Sequence, residues 1–201
     1  MESKKTSQYV DPVVTKKKFL EEVNKFKELE EAYRKKGVIC YRIEDFSVFL
    51  LFCVPHVNPQ GIAFSVRIDY ENWDIEPPSI KFIDPFTDRL LAREQIRIKF
   101  FQVKHKNNIR LNIRGEIMEQ DLLQGQKDVL PFFCIPGVKE YHDHPAHSGD
   151  SWLLHRLNSE GELCVLIDQL YNHSIAQTSG YSLNAQISIA GFNTDIEKLR
   201  K

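Results

Sequence analysis

The sequence predicts an α+β domain: an N-terminal helix, an antiparallel four-stranded meander and a C-terminal helix, with an insertion ahead of a loop rich in histidine. Three observations carry this reading. Apolar residues recur at helical spacing from Phe19 to Tyr33, the pattern turns β-like at Val38, and a helical apolar stripe returns at Leu163. A chain of 201 residues suits one domain with a proper core and is short for two.

Residues 1–14 are polar and lysine-containing, with Asp11-Pro12 as a breaker, and read as a flexible lead-in to a single domain over 15–201. Thr15 is the expected N-cap of the first helix. Phe19, Val23, Phe26, Leu29 and Tyr33 form its apolar stripe, its outer face carries Lys and Glu, and Gly37 ends it. VICYRI and FSVFLLFCV follow, rich in β-branched and aromatic residues, with Glu44-Asp45 as the turn between them. After a loop at 56–61, Phe64, Val66, Ile68 and Tyr70 alternate with Ser65, Arg67 and Asp69, the mark of a strand with one buried face. Pro77-Pro78 then stiffen the entry to a short edge strand whose Ile80 and Phe82 alternate again.

From about 86 to 130 the pattern has no clean period and reads as an insertion, with IRIKFFQV as a candidate strand. VLPFFCI regains strand composition and delivers Cys134 to a Pro136-Gly137 turn. Ser159-Glu160-Gly161-Glu162 has the form of a capping box, and Leu163, Leu166, Ile167 and Leu170 supply the stripe of the last helix. Beyond it, SLNAQISIAGF is a candidate closing strand and FNTDIEKLRK a final helical turn.

A formal net charge of -1 implies no strong field toward nucleic acid or anionic lipid, so neither is an expected partner. Apolar runs are strand-sized, and MESKKTSQYV lacks an apolar signal core, which points to the cytoplasm. Cys40, Cys53, Cys134 and Cys164 have no paired spacing, so reduced thiols are expected.

The stretch richest in chemistry is Pro131–Asn158, where Cys134 is followed by Glu140, His142, His144 and His147. Thiol, carboxylate and imidazole serve both nucleophilic catalysis and metal binding. Cys134 reads either as an accessible nucleophile or as a buried structural cysteine behind two phenylalanines. The carboxylate and imidazoles read as acid/base support, as a zinc site with Cys134, or as a hydrogen-bonded loop. In the zinc reading Glu140, His142 and His144 share a face of an extended segment and bind the ion together with Cys134, with His147 joining across the turn. Cys164 is the rival nucleophile, ranked lower because the last helix would bury it.

The element order, with FSVRIDYENWDIEPPSIKFIDP, resembles the ubiquitin-conjugating (UBC) fold, in which a strand leads to an aromatic-proline corner, a Pro-Pro pair and a strand of the form apolar-x-Phe. FFCIPGVKEYHDHPAHSGDSWLLHR is similar to a bacterial family described as a predicted metal-binding domain with a Cys-Glu-His-His signature, associated with ubiquitin-like conjugation operons including Bil-type anti-phage systems. The resemblance implies a transferase in which Cys134 takes a ubiquitin-like protein from an activating enzyme as a thioester and passes it to an acceptor protein. No cofactor is required in that reading. A zinc-binding module or metal-dependent hydrolase built on Cys134, Glu140 and the His142/His144/His147 cluster is the alternative. The chain departs from eukaryotic conjugating enzymes in lacking a His-Pro-Asn tripeptide before the cysteine, which leaves backbone N–H groups at the Pro136-Gly137 turn as candidate oxyanion donors.

Overall fold

The first helix, α1 (Pro12–Lys35), starts earlier than Thr15 because Asp11-Pro12 is a start signal rather than a breaker. The Asp11 side chain accepts from the Val13 N–H, and proline at the first helical position has no N–H to leave unsatisfied. Just ahead of it, the Tyr9 and Val10 N–H groups donate to Asn72 Oδ1 at 2.9 and 3.1 Å. Phe19, Val23, Phe26 and Tyr33 are buried along one face, whereas Leu29 is exposed. Gly37, at φ 87°, closes the helix, and its carbonyl accepts from the Cys53 N–H at 2.8 Å. A Cβ there would lie 2.5 Å from the Cys53 carbonyl oxygen, so this approach requires glycine.

The computed structural model describes residues 8–101, 121–125 and 130–182. Four strands follow α1 as an antiparallel meander in the order β1-β2-β3-β4: β1 (Val38–Glu44), β2 (Ser47–Val54), β3 (Gly61–Asp69) and β4 (Ser79–Phe82). Register pairs Leu50 with Val66 and Ile68 with Ile80. One face is therefore uniformly apolar: Val48, Leu50, Phe52, Val66, Ile68, Ile80 and Phe82 are all buried. β4 is an edge strand, as the Pro77-Pro78 entry requires.

Part of the expected insertion joins this core. Phe100 is fully buried, with ring centroids 5.1, 5.5 and 5.4 Å from Phe64, Phe82 and Phe133. Among its described residues, the IRIKFFQV stretch contributes a single bridge, Phe101 to Asp121, rather than a full strand. A short antiparallel pair, β5 (Leu123–Gln124) and β6 (Phe132–Phe133), then leads to a one-turn helix α2 (Lys139–His142) and to α3 (Leu163–Asn172). Leu163, Leu166, Ile167 and Leu170 are fully buried, as the stripe predicts.

The expected capping box at Ser159 does not start α3. Ser159 sits in a turn at φ 63°, and the helix begins at Leu163. Its Leu163 N–H donates to Glu22 Oε2 of α1 at 3.0 Å, so a carboxylate from another helix satisfies a donor at its first turn. The candidate closing strand and final helical turn, beyond residue 182, lie outside the described residues.

Candidate active site

Cys134 directly follows β6, and its N–H donates to the Leu122 carbonyl at 2.8 Å. Phe133 beside it is fully buried, while Cys134 is only partly so. The chain then turns through Pro136 and Gly137. A Cβ on Gly137 would fall 2.0 Å from the Glu160 carbonyl oxygen, so only glycine lets the segment leading into α3 approach this closely.

α2 is fastened to β4 from its first residue. The Lys139 N–H donates to the Pro78 carbonyl at 2.9 Å, and Lys139 Nζ meets Glu76 Oε2 at 2.6 Å. Glu140 accepts from Ser79 Oγ and from Lys81 Nζ on one oxygen, and from the Ile80 N–H at 3.3 Å on the other. Both carboxylate oxygens are thus committed to anchoring the helix.

His142 leaves the opposite side of the turn. The expectation that Glu140, His142 and His144 share a face assumed an extended segment, but residues two apart in a helix point about 200° apart. His142 Nδ1 lies 2.7 Å from the Asp150 carbonyl oxygen and Nε2 lies 2.5 Å from that of Pro136. Held between two backbone carbonyls, this ring is a strut across the loop. His144 caps the following turn, accepting from the Ala146 N–H at 3.2 Å, and its ring lies 5.1 Å from Phe132.

His147 is the histidine brought to the thiol, its Nε2 standing 3.4 Å from Cys134 Sγ. Its ring stacks on Tyr141 at 3.8 Å and 23°. The Tyr141 hydroxyl donates to Asp150 Oδ2 at 2.7 Å, Asp150 Oδ1 meets His155 Nε2 at 2.6 Å, and His155 Nδ1 meets Glu160 Oε2 at 2.5 Å. Asp150 therefore orients two histidines, through its side chain for His155 and its carbonyl for His142.

Burial pushes the Cys134 thiol up, which disfavours a free thiolate. His147 opposes this by offering a nitrogen in contact with the sulfur, so the proton can be handed across rather than lost to water. Burial, then the hydrogen bond to Asp150, push the Tyr141 hydroxyl up to about 12, keeping it a donor. The hydrogen bond to Asp150 raises His155 above its ordinary range, and the same contact lowers Asp150.

Of the expected zinc ligands, Cys134, Glu140, His142 and His144 do not converge, and among the described residues no three His, Cys, Asp or Glu side chains are grouped to hold a metal ion. Cys164 lies within α3, half-buried, its thiol raised first by burial. Sequence reasoning overlooked Tyr141, which sits between two more conspicuous residues. An aromatic six positions before a histidine carries no periodic signal until the intervening turns fold it back.

The family described as Y4jH-like (Y4jH family) matches residues 10–178. A protein of Sinorhizobium fredii (strain NBRC 101917 / NGR234), named as uncharacterized protein y4jH, is 34% identical over 193 residues, covering 92% of this chain and 93% of its own. The match spans the sheet, the Cys134–His147 pair and α3, and the chain belongs to the Y4jH-like family.

Proposed function

We propose that this chain is a UBC-like transferase working in the bacterial cytoplasm, with Cys134 as nucleophile and His147 as its base. The contact between Cys134 Sγ and His147 Nε2 at 3.4 Å is the observation that supports it. The order of helix, four-stranded antiparallel meander and helix is consistent with the UBC resemblance. A ubiquitin-like protein arrives as a thioester on its activating enzyme. His147 Nε2 takes the thiol proton, and the Cys134 sulfur attacks the acyl carbon. The tetrahedral intermediate expels the activating enzyme's thiolate, which recovers the proton from His147. In the second half an acceptor amine attacks the new thioester, loses a proton to His147, and Cys134 leaves and is reprotonated. An anti-phage conjugation operon is the setting that the resemblance suggests.

Incubation with activating enzyme, ATP and the ubiquitin-like partner is expected to give a reductant-sensitive adduct, lost in Cys134→Ala and kept in Cys164→Ala. The reverse pattern would move the nucleophile to α3. No adduct on either cysteine would end the carrier reading.

A further inference from the structure

The outer face of the sheet, opposite the apolar core, carries a groove of about 900 Å³ that runs from the β1–β2 turn across β3 and β4 to Phe132, His144 and Pro145. Its floor includes Phe46, Phe49, Pro77 and Phe132, and its walls carry seven carboxylates against three cations. Each cation already has a carboxylate in the groove: Arg67 with Asp69 at 3.0 Å, Lys81 with Glu140 at 2.5 Å and Lys139 with Glu76 at 2.6 Å. Glu44 meets Arg42, outside the groove, at 3.6 Å, while Asp45 and Asp143 lie beyond those pairs, so carboxylates outnumber cations along the groove although the chain as a whole is near neutral. Asp45 and Asp143, at opposite ends, are both exposed.

We propose that this groove binds an extended, lysine-bearing peptide segment. Negative potential in a concave, partly apolar site concentrates cations and repels acidic chains and nucleic acid. Lysine suits such a site because its methylene stem packs on aromatic walls while its ammonium reaches the carboxylates. Crossing the strands at about 4.8 Å spacing takes roughly 14 Å, or about four to five extended residues. One end of the groove reaches the His144 ring, whose centroid is 5.8 Å from that of His147, the neighbour of Cys134. Resting on the transferase reading, the occupant is the acceptor segment, and a lysine held at the His144 end offers the amine.

The test is fluorescence anisotropy of the full chain with a fluorescein-labelled six-residue peptide of alternating lysine and alanine, and with its glutamate-alanine counterpart. Binding of the lysine peptide alone is expected, weakening as salt rises. Asp45→Asn with Asp143→Asn is expected to weaken it about 3- to 10-fold, since exposed pairs are individually modest. Glu28→Gln with Glu31→Gln, on the outer face of α1, is expected to leave it unchanged. Equal affinity for both peptides, no binding of the lysine peptide, or an unaltered affinity in the Asp45/Asp143 variant would overturn the groove. Because the peptide assay needs no thiol, binding retained in a chain that forms no Cys134 adduct removes the carrier reading and leaves the groove standing. An adduct formed by a chain that ignores the peptide does the opposite.

Discussion

Replacing His147 with alanine isolates the feature on which the chemistry depends, because it removes the imidazole and leaves Cys134 in place. An ordinary thiol, with a pKa of about 8.5, is roughly 3% thiolate at pH 7, and burial of Cys134 lowers that fraction further. A base at 3.4 Å accepts the proton in contact, and the gain it brings is bounded at about 30-fold, the value for complete conversion of an ordinary thiol to thiolate. A thiolate stabilised in this way is a weaker nucleophile, with a Brønsted slope of about 0.4–0.5, which brings the net expectation to about five- to tenfold. The assay is iodoacetamide alkylation of Cys134, followed by peptide mass spectrometry from pH 6 to 9 so that Cys40, Cys53 and Cys164 are counted separately. His147→Ala should alkylate about five- to tenfold more slowly at pH 7 and gain about tenfold per pH unit below its thiol pKa, while the wild type shows a flatter rise. Identical rates and slopes in the two proteins would mean that the imidazole does not serve the sulfur, and the proposed base would have to be withdrawn.

Tyr141→Phe keeps the ring stacked on His147 and loses only the bond to Asp150, so it should retain most of the Cys134 alkylation rate, whereas Tyr141→Ala should approach His147→Ala in the same assay. Gly137→Ala forces a Cβ to within 2.0 Å of the Glu160 carbonyl and should lower stability by about 2–3 kcal/mol in urea unfolding, while Gly180→Ala, with open space around it, should be nearly silent. Glu22→Ala strips the acceptor from the Leu163 N–H and should cost about 1–2 kcal/mol by the same measurement, with Glu22→Gln costing less because an oxygen remains. His155, raised in the folded state, contributes stability that is fully present below its ordinary pKa of about 6.5 and is lost as pH rises through the folded value. Asp150, lowered, contributes above its ordinary pKa and loses that contribution as pH falls through the folded one. The stability gap between wild type and His155→Gln, read from urea midpoints, should therefore be widest between about pH 4 and 6.5 and narrow as pH rises beyond that range; a gap that does not vary with pH would dissociate the histidine from its carboxylates.

The four-stranded meander was legible because its signals are local and redundant. Val66 and Ile68 alternate with Arg67 and Asp69 on one strand, and the register with Leu50 and Ile80 merely continues that pattern across neighbours. Helix ends were less legible. Asp11-Pro12 satisfies two opposite rules, since proline both breaks a helix from within and suits its first position. Ser159 to Glu162 has the letters of a capping box, yet α3 begins after it, because Glu22, remote in sequence, supplies the acceptor. No window along the chain contains both residues. Phe100 was hidden for a similar reason: its burial depends on Phe64, Phe82 and Phe133 closing round it, not on any period of its own segment.

The site divides along the same line. Composition alone marked Cys134 and the histidines, but it could not rank four candidate partners that lie, together with the cysteine, within fourteen residues. What ranks them is α2. A single helical turn is too short to hold itself together in water, so its existence rests on its contacts. Glu140 and Lys139 fix one side to β4, and His142 fixes the other between the Pro136 and Asp150 carbonyls. Residues that looked like reagents are consumed as fasteners, and the turn they hold carries Tyr141, against which His147 lies flat. Of His142, His144 and His147, the one farthest in sequence from the cysteine thereby reaches the sulfur, while the two nearer are held elsewhere. A loop built this way positions one base by committing the other polar groups to structure, which is why a substitution at a fastener and a substitution at His147 should impair the thiol by different routes: the first by misplacing the imidazole, the second by removing it.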